Sequence, residues 1–91
     1  MIKVNDDWVI GVDSRNYMPA RNKPRKGGIK EREITGYPWE AYFHTLEDAL
    51  EYIRSEMIRD GLSEDMTLAD AIRVIRETDA EFRKLIEEVA R

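Results

Sequence analysis

The sequence contains no cysteine. That excludes a disulfide framework and a thiolate metal site. No window approaches the roughly 18 continuous apolar residues that a membrane span needs. No basic start followed by an apolar run marks a secretory signal. These absences point to a cytoplasmic protein with no membrane partner. Histidine occurs once, at His44, just before a threonine that begins a helical pattern. A lone imidazole needs a positioned partner and a pocket to act as a base, and no serine or cysteine elbow accompanies it.

Other chemistry is missing in the same way. Lys26-Gly27-Gly28 lacks the spacing and the following hydroxyl of a phosphate-cradling loop. The acidic pairs Glu47-Asp48, Glu64-Asp65 and Glu87-Glu88 lack the loop spacing of a calcium hand. Without histidine or cysteine beside them they do not make a transition-metal site. The expectation is a protein with no catalytic residue, no cofactor and no metal, acting by binding.

What is present defines one small α+β domain over residues 1–91. Hydrophobic residues make up 42% of the chain, enough for a core. Residues 2–12 read as strand, with Trp8, Ile10 and Val12 on one face and Val9 and Gly11 on the other. Asn5-Asp6-Asp7 interrupts the run, either as a bulge or as a tight turn that makes residues 2–4 a strand of their own. Asp13 to Asn16 is turn chemistry, since short polar side chains bond nearby backbone. Tyr17 to Arg21 forms the next strand, and Pro19 places it at an edge or bends it. Residues 22–32 form a basic hairpin loop, and a further strand follows from about Glu31 to Thr35. Residues 39–43 are strand or loop. The expected sheet is antiparallel, with three strands, or four if residues 39–43 join it.

Two or three helices follow. Thr45 and Thr67 each stand three residues before an acid, a capping signature. From Thr45 the apolar residues recur at helical spacing to about residue 60, with Gly61 read as a left-handed cap. The second pattern covers residues 67–90. Leu68, Ile72, Ile75, Phe82, Ile86 and Val89 form one stripe, with Asp79 in the place of its missing member. Thr78 with Glu81 is a third capping signature, so the segment is either one helix or two. The absence of glycine and proline near Thr78 favours one. The stripe can cover the chain's own sheet, or meet a partner helix or a second copy in a homodimer.

Charge is divided along the chain. From Arg15 to Arg32 there are seven basic residues and one acid; from residue 41 onward there are seven basic and thirteen acidic. The cations Arg15, Arg21, Lys23, Arg25, Lys26, Lys30 and Arg32 can hold phosphate, and the aromatics Tyr17, Tyr37 and Trp39 can stack on bases. Together they suit a nucleotide or single-stranded nucleic acid. The alternative is a solvated charged loop whose aromatics turn inward.

The order Trp8-Val9-Ile10, Asp13, Asn16-Tyr17, a Lys/Gly-rich loop, Gly36-Tyr37 and Thr45-Leu-Glu-Asp-Ala-Leu50 resembles a group of small phage and prophage proteins of unknown function. The resemblance implies a non-enzymatic accessory protein made in the cytoplasm of a bacterial host cell. An anti-defence role would follow by sequestering a nucleotide signal or by blocking a host defence protein. A weaker likeness joins three strands to the turn Phe43-His44-Thr45 and the Leu-Glu-Asp-Ala49 that follows. It resembles the sheet-reading arm-binding domains of tyrosine-family integrases, which implies a nucleic-acid-binding module using the basic-aromatic sheet and hairpin.

Overall fold

The computed structural model describes residues 1–22 and 38–89. The expected strand at residues 31–35, most of the basic loop, and Tyr37 lie outside these residues. The described part is α+β, a three-stranded antiparallel sheet followed by two helices. The strands are β1 (Ile2–Lys3), β2 (Trp8–Val12) and β3 (Tyr17–Arg21), in that spatial order. The helices are α1 (Leu46–Gly61) and α2 (Leu68–Val89). The chain divides into two compact units, Met1–Leu50 and Glu51–Arg91.

In the first unit, side-chain oxygens shape both hairpins. Asn5 Oδ1 accepts the backbone N–H groups of Asp7 and Trp8, each at 2.8 Å. This closes a turn, so residues 2–12 are two strands, with Ile2 opposite Ile10 and Lys3 opposite Val9. The side chain of an Asx residue replaces backbone acceptors here, so the interruption is a turn and not a bulge. At the next corner Asp13 Oδ1 accepts from Arg15 N at 2.8 Å and Asn16 N at 2.7 Å. Those two bonds, Arg15's first, hold the Asp13 carboxyl below its usual range.

β2 is the central strand and is buried on both faces. Trp8, Val9 and Ile10 are buried in succession, as is Gly11. Its register sets Trp8 opposite Arg21, Ile10 opposite Pro19 and Gly11 opposite Met18. Pro19 is fully buried. The exchanged backbone bonds between Tyr17 and Phe43, at 2.7 and 2.9 Å, show which way β3's outer groups point. Along an antiparallel strand those directions alternate, so Pro19's missing N–H falls on the same outer edge as Tyr17's. Its carbonyl still accepts, from Glu40 N at 2.8 Å. With no donor at position 19, the pairing with residues 39–43 stops at an isolated bridge instead of extending into a fourth strand.

Both helix starts carry the expected caps, that of α1 in the first unit and that of α2 in the second. Thr45 Oγ1 accepts from Asp48 N, and Thr67 Oγ1 from Asp70 N, each at 3.1 Å. α2 runs without a break through Thr78, which is buried within it. Gly61 differs from its expected role. It is the last residue of α1 and its backbone is not left-handed. A Cβ there would stand 2.6 Å from Val74 Cγ1, so glycine is required by the close approach of α2.

Candidate functional site

Two surfaces were expected to carry function. The first is the basic-aromatic stretch. Lys23, Arg25, Lys26, Lys30, Arg32 and Tyr37 lie outside the described residues. Arg15 is exposed in the β2–β3 turn. Arg21 is half-buried, its guanidinium carbon 4.5 Å from the centroid of the Trp8 ring, and it meets Glu40 Oε2 at 3.6 Å. The cation therefore covers the face of a core indole while its charge is balanced by a carboxylate. Arg15 lies in the turn before β3 and Arg21 ends the strand, whose five residues alone span about 13 Å at strand rise.

The aromatics are similarly engaged in the fold. Trp39 is half-buried with its ring against Gly11; a Cβ at Gly11 would be 2.6 Å from Trp39 Cη2. Tyr17 is half-buried and held by its backbone exchange with Phe43. Trp39 thus works as a cover over the narrow part of β2. Sequence reasoning missed this pairing, although a glycine inside a strand pattern is the signal for a close approach.

The second surface is α2. Its expected stripe splits into two adjacent lines. Phe82 and Thr78 are buried, with Ala71, Val74 and Leu85 half-buried beside them. Leu68, Ile72, Ile75 and Ile86 are exposed, at 76%, 39%, 36% and 58%. Burial sets Phe82 apart from the four exposed residues. The cause is geometric. A 4-3 repeat averages 3.5 residues per turn, whereas a straight helix drifts about 20° per heptad against that repeat. By Phe82 that drift amounts to about 40° from Leu68, toward the side of Ala71 and Thr78. The Val89 side chain lies outside the described residues.

Asp79, the polar member of the stripe, is also explained. Arg54 of α1 grips it through two hydrogen bonds, Nε to Oδ1 and Nη2 to Oδ2, the latter at 3.3 Å. Glu51 Oε1 supports the same guanidinium at 3.0 Å. The Arg54 bond holds the Asp79 carboxyl below its ordinary value, with Arg83 adding to the effect. The pair links α1 to α2 at a fixed register.

The remaining candidates offer little chemistry. His44 is exposed next to Thr45. An open cleft lined by Met57, Gly61, Val74, Glu77, Thr78 and Glu81 lies in the second unit. Among the described residues, no group of three or more His, Cys, Asp or Glu side chains is placed to hold a metal. Among the same residues, no helix is long and apolar enough to cross a membrane. Compared with protein-family models, curated proteins and solved structures, the chain matches none.

Proposed function

We propose that this protein works by binding rather than catalysis, as a phage or prophage accessory protein, and that the outer line of α2 is its contact with another protein. The observation that carries this reading is the exposure of Leu68, Ile72, Ile75 and Ile86 along one helix. Scattered surface apolar residues need no explanation, but a line of large ones at helical spacing marks an interaction surface. In a bacterial host the partner would be a defence protein whose action is blocked. Self-association, expected from the sequence, would use the same face.

The competing nucleic-acid or nucleotide reading draws on the basic-aromatic stretch. Within the described residues, Arg21 and Trp39 are committed to Trp8, Glu40 and Gly11, which favours the helix surface. The test is purification of the tagged chain from a bacterial host, with bound protein quantified against a Leu68→Ser/Ile86→Ser variant. The reading expects a stoichiometric partner, a second copy included, that the variant loses. Retention of the same partner by the variant contradicts it.

A further inference from the structure

The outer line of α2 has two unlike borders. One is the buried line of Ala71, Val74, Thr78 and Phe82. The other is cationic. At about 100° per residue, Arg83 and Arg76 lie within about 40° of Ile72, and Arg73 stands farther round on the same side, paired with Asp70 at 3.4 Å. All three are exposed. The acids Asp70, Glu77 and Glu81 lie about 140–180° from Ile72, on the far side of the helix. Of the acids near the line, Asp79 is held by Arg54, and Glu87 stands one turn beyond Arg83. In a helical half with thirteen acids against seven bases, the arginines are sorted to one edge of the exposed apolar line.

We propose that this line receives an amphipathic helix of a partner protein whose apolar residues are bordered by Asp and Glu. The inference rests on the reading of α2 as a protein contact. Apolar residues at i, i+3 or i+4 on the partner lie along Leu68, Ile72, Ile75 and Ile86, the usual way a helix docks on an apolar track. Its acids meet Arg76 and Arg83, which set orientation and partner choice more than total affinity. A second copy fits less well. Antiparallel twofold pairing centred on Asp79 brings Ile72 to Ile86, but it also sets Arg76 beside Arg83 of the other copy, twice, and Asp79 beside Asp79. Parallel pairing stacks Asp79 on Asp79 and offers the arginine edge no acid, since it faces Ala71, Thr78 and Leu85. Like charges set together at a contact work against the wrong partner.

The test pans a yeast-displayed library of short amphipathic helices, randomised in border charge, against the immobilised full chain. Helices enriched on the wild type are expected to carry acidic borders and to lose binding to an Ile72→Ser/Ile86→Ser variant. On an Arg76→Glu/Arg83→Glu variant the acidic set should weaken on the order of tenfold, and basic borders should be enriched instead. Both changes lie on exposed side chains, and circular dichroism verifies the fold of each variant. Enrichment of the same border charge on the wild type and the Arg76→Glu/Arg83→Glu variant overturns the proposal. If those helices still depend on Ile72 and Ile86, the reading of α2 as a protein contact stands. Sedimentation of the wild type separates the last case. A dimer lost in the Ile72→Ser/Ile86→Ser variant replaces the acidic helix with a second copy. A monomer with no helix dependent on the line sinks both the proposal and the reading beneath it.

Discussion

β2 and α2 treat their apolar residues in opposite ways. β2 places Trp8, Val9 and Ile10 in succession and buries all three, using both faces of the strand. α2 carries more large apolar residues and buries only one of its two lines. A central strand spends its alternation on two sides of one core. A helix that leaves an apolar line from about a third to three quarters exposed has surface left for something else. The difference separates residues that hold the fold from residues available for a contact, and substitutions can test that division.

The largest effect is expected at the covered strand. Trp8→Ala removes a side chain 1% exposed and the ring beneath Arg21. We expect a loss of about 3–5 kcal/mol in urea unfolding. Gly11→Val is next. Its side chain would occupy the place of the Trp39 ring, so a loss of about 1–3 kcal/mol is expected, along with a changed tryptophan emission spectrum. An unchanged spectrum would show that Trp39 does not lie on β2.

In the second unit the contact of Gly61 with Val74 sets two effects against each other. Alanine is the better helix former by about 1 kcal/mol, but its Cβ meets Val74 Cγ1 at 2.6 Å. Gly61→Ala should therefore destabilise, and adding Val74→Ala should recover part of that loss. If Gly61→Ala stabilises the protein, the close approach of the helices is wrong.

Acid sharpens the Arg54–Asp79 link. The folded Asp79 carboxyl titrates below its unfolded value of about 3.9. Its contribution is present above that unfolded value and is lost as pH falls through the lower folded one. Asp79→Asn should flatten the acid limb of stability against pH below about 4 and leave the slope near neutrality unchanged. The effect is small, since both side chains are partly exposed.

Much of this was legible because it is local. The two capping threonines, the Asp13 turn and the unbroken α2 follow from residues a few positions apart. What was illegible depended on partners distant in sequence. Gly61 looks like a helix stop until Val74 is placed beside it, and Asp79 looks like a flaw in a stripe until Arg54 reaches it from 25 residues away. Trp39 reads as a stacking platform until Gly11 leaves room for its ring. Phe82 and Ile86 share one written pattern, and only their burial in the folded chain separates them.

That assignment is the central claim, and one comparison tests it most directly: urea unfolding of Phe82→Ala beside Ile86→Ser. Phe82, 8% exposed, should cost about 3–5 kcal/mol. Ile86, 58% exposed, should leave stability within about 0.5 kcal/mol of the parent chain. Equal losses at the two positions would contradict the division of α2 into a buried line that holds the fold and an exposed line that does not.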